Sequence, residues 1–488
     1  MGTRKNGWGH VWALFGPLMI ALIVGNLQGI ADIFWLGRLV GVEGVAVATV
    51  VFPVVVLGAQ LAVGVSNATA ILCSRAVGAK NDVRLAKVVA TGSAVSMAVA
   101  VAVTLGVFAT APVLAASLNT PPELMDATVV FLRIQCFSFV PLFLYYQLSA
   151  AFRAQGDTMF QMWGLVAAVV LNMGLVPVFI VGLGPIPAMG TLGAAAANVM
   201  AYLLVLIGAL VVLHIQGRMA FGQGKDINLE TAREMAVVGL SSTLQVISPA
   251  LSGVLMMGLV NQHGVVVVGG FGVASKVEAI MLVPTLAMNM TVTSLTGNAF
   301  GAGKPGLAWQ HVRNGGVLCS AITVPLVVAS ILFSHQFTLA FVDDASLVPI
   351  VTWYLVIMAP GYLLNVLLAL SMGMLNGDRR VLSGAAVFFI GYLAFCMPVA
   401  IFLSGTSLQE KGVWVAMSVS YLLMAVLATV LTLPPVRQRV IARRPREWES
   451  QDAVVKGVGI KHDLLDGPST DEMSGARNPV EFSRGESA

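Results

Sequence analysis

Long apolar runs alternate with short polar turns along this chain as far as about residue 434. A helix needs about 20 consecutive apolar residues to cross the hydrocarbon core of a bilayer. Twelve runs reach that length: residues 11–37, 45–72, 88–116, 125–151, 160–183, 190–214, 234–260, 265–297, 312–338, 346–375, 381–404 and 412–434. They are long and continuous, whereas barrel strands are short and alternate residue by residue, so the pattern predicts helices. The expected fold is an all-α polytopic membrane protein with twelve transmembrane helices.

The polar turns fix an orientation. Taking the N-terminus as inside, the inside segments hold Arg4, Lys5, Arg75, Lys80, Arg84, Lys87, Arg153, Arg218, Lys225, Arg233, Lys304, Arg313, Arg379, Arg380 and the basic C-terminal tail. The outside segments hold Arg38 and Lys411, while Arg133 and Lys276 fall within spans. Cytoplasmic loops carry the excess of Lys and Arg. A wrong helix count would scramble this alternation, so it supports both the count and cytoplasmic N- and C-termini. Residues 435–488 open on a basic cluster and then turn polar and mixed in charge, which predicts a disordered tail whose start lies against anionic headgroups. The first run is too long for a signal peptide and no A-x-A-like cleavage site follows it, so an uncleaved first span is expected.

The second half echoes the first. Gly16 and Gly239, and likewise Gly78 and Gly301, are 223 residues apart and fall at equivalent places in the span pattern; Gly190 and Gly412 are 222 apart. Six spans per half return the chain to its starting side, so the halves insert in parallel and are related by a pseudo-two-fold axis along the membrane normal. This predicts a six-helix bundle over 1–214, a linker over 215–233, and a second bundle over 234–434. A cleft is expected between the bundles, exposed to either side in turn as they rock.

Composition agrees with the pattern. Hydrophobic residues make up 57% of the 488 and charged residues 10%, against about 25% charged in ordinary soluble domains. Nothing suggests a nucleic-acid partner; membrane lipids are the expected surroundings. Cys73, Cys136, Cys319 and Cys396 lie in apolar stretches without paired spacing and read as small core residues. The six histidines have no metal spacing, and no nucleophile–base arrangement stands out, so neither an enzyme nor a cofactor is expected. The segment NAFGAGKPG lacks the spacing of a phosphate loop and has proline after Lys304 where Ser or Thr is needed. Energy for transport must then come from a gradient or a partner.

Polar residues within the spans are the candidate chemistry. An acid at the bilayer centre costs about 2.5–3.5 kcal/mol on insertion scales and normally faces a cavity or a partner. Asp32 lies late in the first span and Glu278 in the eighth. A carboxylate there can hold and release a proton, or coordinate sodium with neighbouring oxygens. Glu278 is two residues from Lys276, which also suits an ion pair. Asn172 in the fifth span can hydrogen-bond across helices or hold a cation-binding carboxylate. Gln28 is one turn before Asp32 on the same face. Gln60, Asn67, Gln147, Gln245, Asn289 and Asn365 are further amides in spans and candidates for lining the cleft. Pro17, inside the first span, removes a backbone donor and favours a bend. Arg133 near a span end is expected to snorkel.

Several of these segments resemble the multidrug and toxic compound extrusion family, and within it the DinF-like branch. They are Pro17 with ADIFWLGRL at 31–39, SRAVGAKNDVRLAK at 74–87, FRAQGDT at 152–158, LNMGLVPVFIVGLG at 171–184 and the long stretch from Phe271 to Pro305. The resemblance spans about residues 8–434. It implies a V-shaped pair of bundles around a central cavity in a bacterial inner membrane, acting as a monomer. It implies export of cationic or amphipathic organic compounds in exchange for protons or sodium. By motif position Asp32 resembles the family's coupling acid, Pro17 its bending proline and Asn172 its fifth-helix asparagine. The chain departs from the pattern at Val176, where an aspartate is usual, and at Gln245 and Asn365, where some branches have acids. A single acid in that bundle suits one proton better than a coordinated sodium. A lipid-linked-precursor flippase, or another exporter of the same superfamily, is the second reading. A non-transporting scaffold or sensor is the third. Only Arg133 and Lys276 place cations in the spans, which favours the exporter of cations.

Overall fold

A computed structural model describes residues 7–118, 120–183, 187–215, 227–341 and 345–434. Arg4, Lys5, most of the segment read as linker, and the C-terminal tail lie outside the described residues. Among those described, twelve helices are long and apolar enough to cross a membrane. In the first half they are α1 (Trp8–Leu39), α2 (Glu43–Gly78), α3 (Asp82–Ser117), α4 (Pro122–Ala154), α5 (Met159–Val181) and α6 (Thr191–Ile215). In the second half they are α7 (Leu229–His263), α8 (Val266–Gly301), α9 (Pro305–Leu332), α10 (Ala345–Gly377), α11 (Val381–Ser404) and α12 (Glu410–Thr432).

Each sequence run finds its helix, and the differences lie at the ends. α3 begins at Asp82, where the Asn81 side chain accepts from the Arg84 N–H. α7 begins at Leu229, inside the segment read as linker, because Asn228 accepts from the Glu230 and Thr231 N–H groups. Both caps satisfy donors that a helix start leaves free, and both precede polar first turns that an apolar window does not count. The ninth run extends to 338, yet α9 stops at Leu332 and a separate short helix, Ser334–Phe341, follows. Apolar residues continue across that break, so composition does not reveal it. α4 carries a 3-10 turn at Cys136–Ser138, and α11 a π-helical stretch at Phe389–Cys396. α1 continues across Pro17, which is buried. All four cysteines are buried and unpaired.

The repeat is visible in the backbone. Left-handed turn residues recur at the same spacing: Gly41 with Gly264, Lys80 with Gly303, and Gly156 with Arg379. The two halves meet where α2 crosses α8, and there the contacts obey the repeat as well. A Cβ on Gly78 would lie 2.0 Å from the Asn298 carbonyl oxygen, and one on Gly301 would lie 2.2 Å from the Arg75 carbonyl oxygen. Gly78 and Gly301 are repeat-equivalent, and so are Arg75 and Asn298. The exchange of one contact for the other is what a two-fold axis through the crossing produces. A Cβ on Gly297 would lie 2.0 Å from the hydroxyl of Ser74, its own equivalent, which places that pair on the axis. Small residues let helix backbones approach closely in a membrane, where association gains nothing from expelling water.

From the crossing, contact between the halves spreads to both sides. Gly64 packs against Thr243, and Ala68 and Ile71 pack with Val238 and Val381. On the other side Val11, Leu14, Phe15 and Leu18 of α1 pack with Ala287, Met288, Val292 and Cys319 of α8 and α9. Farther from the crossing, each helix returns to its own bundle. Leu36, Val47 and Val51 join Phe131, Leu132, Val176 and Ile180 in the first half. In the second, Tyr354, Tyr362, Trp414 and Met424 centre the core.

The crossing predicts a sharp asymmetry among glycines. Gly78→Ala and Gly301→Ala should each destabilise the protein by about 1–3 kcal/mol through overpacking. Gly106→Ala, where a Cβ meets nothing within 4 Å, should stay within about 0.5 kcal/mol. Thermal unfolding of the purified variants in detergent reads this as a lowered midpoint for the first two alone.

Candidate functional site

Three helices of the first bundle bring polar groups together. Asp32 stands late in α1 and is half-buried. Asn172, fully buried in α5, donates its Nδ2–H to Asp32 Oδ1 at 2.8 Å. One turn earlier on α1, Gln28 donates from Nε2 to Asn198 Oδ1 of α6 at 3.3 Å. Its Oε1 accepts from the Tyr202 hydroxyl at 3.1 Å. Gln28 and Asp32 are four residues apart on α1, as Asn198 and Tyr202 are on α6, so each pair shares a helix face. α1 is thus tied to α5 and to α6 on successive turns.

Asn172 Oδ1 is buried and has no hydrogen-bond partner among the described residues. Val176, one turn farther along α5, is fully buried in the apolar core. The position that a second acid would occupy is therefore packed with hydrocarbon, and Asp32 supplies the site's carboxylate alone. Among the described residues no three His, Cys, Asp or Glu side chains cluster as metal ligands.

The second bundle presents a different arrangement. Glu278 of α8 is 9% exposed and accepts a hydrogen bond from the Tyr354 hydroxyl of α10. Tyr354 sits edge-on to Phe271 and Trp414, with ring centroids 5.6 and 5.5 Å away. The ion pair that sequence proximity suggested is not formed: Lys276 is exposed and Glu278 is turned inward. The two acids are also not repeat-equivalent, because Leu255 stands where the repeat would place Asp32 and Val55 where it would place Glu278.

The remaining amides are distributed. Gln147 is buried within the first bundle and accepts from Thr69 and Ser96. Asn67 accepts from Arg153 at 3.2 Å. Arg153, read from the sequence as an inside-segment residue, lies within α4, is 2% exposed and is also held by Gln161 at 2.8 Å, so this cation ends between two amides. In the second bundle Gln245 and Asn376 bond each other reciprocally, and Gln245 also donates to the Val381 carbonyl. Asn289 donates to the Ala369 carbonyl and Asn365 to Thr285. Gln60 is half-buried on α2. Arg133 lies over the Phe108 ring, 5.3 Å from its centroid.

Sequence reading did not single out Asn198, Tyr202 or Tyr354. The first two leave a signal, a polar pair at i and i+4 in an otherwise apolar helix. Tyr354 leaves none, since a tyrosine in a span is ordinary and its partner is 76 residues away.

Comparisons with known proteins agree with this architecture. The MatE family model matches residues 17–178 and 240–402, two segments whose starts are again 223 apart. The probable multidrug resistance protein YoeA of Bacillus subtilis is 26% identical over 437 residues, covering 86% of this chain and 94% of its own. The FAD transporter of Shewanella oneidensis is 23% identical, covering 86% and 95%. A multidrug resistance MATE family transporter of the MOP superfamily, solved in its outward-facing conformation, shares the fold with a TM-score of 0.81 at 21% identity, covering 91% of this chain and 98% of its own. Matched by the family model in both halves, this multi-pass membrane protein belongs to the multidrug and toxic compound extrusion family.

Proposed function

We propose that the protein exports cationic or amphipathic organic compounds by alternating access, in exchange for protons taken up at Asp32. The observation that carries this reading is the Asp32–Asn172 pair. The carboxylate accepts one amide N–H, while Asn172 Oδ1 has no donor among the described residues. A proton on Asp32 supplies that donor, turning a one-way contact into a reciprocal acid–amide pair. A hard cation such as sodium instead favours several oxygen ligands, and Val176 removes the carboxylate that would complete such a shell.

The energy is sufficient. One charge crossing about 100 mV is worth about 2.3 kcal/mol, which supports about a 50-fold concentration ratio. Under the positive-inside reading the termini and the α2–α8 crossing face the cytoplasm, and the chain acts as a monomer. Cargo then loads from the cytoplasmic side when that crossing opens. Glu278 is the candidate for a second titrating group, shielded by Tyr354 in the other bundle; Pro17 provides the bend in α1. Gln28, with its amide held by Asn198 and Tyr202, keeps the Asp32 face of α1 in register.

A second reading takes its cue from the flavin-nucleotide transporter among the relatives. It is an exporter of anionic cargo, and an acid in the first bundle disfavours it. Fluorescent-cation efflux from proteoliposomes separates the readings. A proton gradient alone should drive efflux of the cation, and a sodium gradient alone should not. Flavin-nucleotide efflux in the same vesicles with no cation efflux would replace the leading reading.

Asp32→Asn should reduce gradient-driven efflux to the leak while expression and thermal midpoint stay unchanged; wild-type efflux in this variant would remove Asp32 from the mechanism. Asn172→Ala should keep coupling but lower the rate about ten-fold, the loss of one hydrogen bond to a charged group. Rate against proton gradient in the same vesicles measures it.

A further inference from the structure

The repeat is symmetric in its backbone but not in its charges. At the turn after α4 the chain reads Gln155, Gly156, Asp157; at the equivalent turn after α10 it reads Asp378, Arg379, Arg380. Gly156 has φ of 90°, and Arg379 takes the same left-handed region at 59°. That conformation favours glycine and is uncommon for a residue with a Cβ. An arginine kept there points to a task for its side chain.

The Arg379 guanidinium bonds the Glu234 carboxylate at the start of α7. Glu234 also faces Arg84 of α3, whose Nη2 is 3.4 Å from both carboxylate oxygens. Arg84 belongs to the first bundle; Glu234 and Arg379 belong to the second. Beside them Arg75 Nη2 of α2 lies 3.5 Å from Asp378 Oδ1, another pair between bundles. Glu234 and Asp378 are 8% and 4% exposed, so these are not freely hydrated surface pairs, and parting them strands charge.

Across the axis the same positions are neutral. Glu234 corresponds to Val11, which sits in the apolar contact of α1 with α8 and α9. Arg75 corresponds to Asn298, which donates to the Ala154 carbonyl at 3.3 Å. Apolar contact between helices is non-directional, and lipid chains replace it readily. Ion pairs require particular geometry, so the charged flank makes the closed arrangement discrete.

We propose that Glu234, braced by Arg379 and paired with Arg84, acts with the Arg75–Asp378 pair as a one-sided latch that holds the two bundles shut at the α2–α8 end. These are positioning residues: they set how often this end opens and touch no cargo. The latch rests on the alternating-access reading, with this end facing the cytoplasm.

Ser74, fully buried at the crossing, reports the opening. In a background with Cys73, Cys136, Cys319 and Cys396 replaced by alanine, Ser74→Cys is labelled with an impermeant maleimide in inside-out vesicles. Glu234→Gln and Arg84→Gln should each raise the labelling rate at least about five-fold, and the double variant should do no more than either alone. Arg379→Gly should raise it too; glycine suits that turn, as Gly156 shows, so this variant retains the fold. Labelling at the parent rate in Arg379→Gly and Glu234→Gln overturns the latch, as does an additive double variant. A rise only in right-side-out vesicles also overturns it. Labelling needs no transport, so the two ideas fail separately. Cation efflux without a labelling response discards the latch, and a labelling response without any efflux discards the transport reading.

Discussion

Everything in this molecule hangs on the place where α2 and α8 touch backbone to backbone. A bilayer offers no gain from hiding apolar side chains, since lipid is as apolar as they are. Two helical bundles stay together only through close packing and polar contacts. Gly78 on Asn298 and Gly301 on Arg75 provide the first, repeated across an axis that passes near Ser74 and Gly297. The contact is small and lies at one end of two long helices, so it seals that end. Remote regions then follow: each of α1 and α7 packs on the opposite bundle near the crossing, and α1 returns to its own bundle before Asp32.

The same solvent explains why the site is sparse. Every polar group buried among the spans must find a partner or a use. Most find partners: Gln147 with Thr69 and Ser96, Gln245 with Asn376, and Arg153 with Asn67 and Gln161. These networks fix helices within a bundle. In the Asp32–Asn172 pair the amide oxygen has no donor among the described residues, and the amide's own N–H binds a carboxylate. Under the proposed exchange, a proton on Asp32 would fill that acceptor.

The helices were legible in the sequence because bilayer thickness imposes a length that few other constraints imitate. The repeat was legible in part because Gly78 and Gly301 sit at the crossing, where a larger residue cannot stand. Asp32 and Asn172 could be picked out singly, since each is an expensive residue in an apolar run. Their pairing could not, with 140 residues between them, nor could the Glu278–Tyr354 contact. Lys276 misled for a physical reason. Residues i and i+2 on a helix point to different sides, so nearness in sequence implied an ion pair that the helix forbids. The helix starts at Asp82 and Leu229 were hidden by polar first turns, although Asn81 and Asn228 are recognisable caps.

A duplicated fold with unduplicated chemistry has a mechanical consequence. If both halves carried the same acid and the same contacts, protonation would act equally on each and neither flank of the crossing would be preferred. Here Asp32 loads one bundle at α1, while Glu278 lies off the equivalent position in the other, enclosed by aromatic rings. The contacts near the crossing are likewise unequal, with Arg84, Glu234, Arg75 and Asp378 on one flank and Val11, Phe15 and Leu18 on the other. α1 links these inequalities. Its late half carries the acid, its early half forms the apolar flank, and Pro17 stands at that flank where the helix lacks a backbone hydrogen bond. Under the proposed exchange, a change at Asp32 that rotated or bent α1 would be felt first on the flank where α1 packs through apolar side chains. Opening would start there and meet the charged flank last. The repeat supplies the symmetric crossing, and its departures from symmetry make the two flanks unequal.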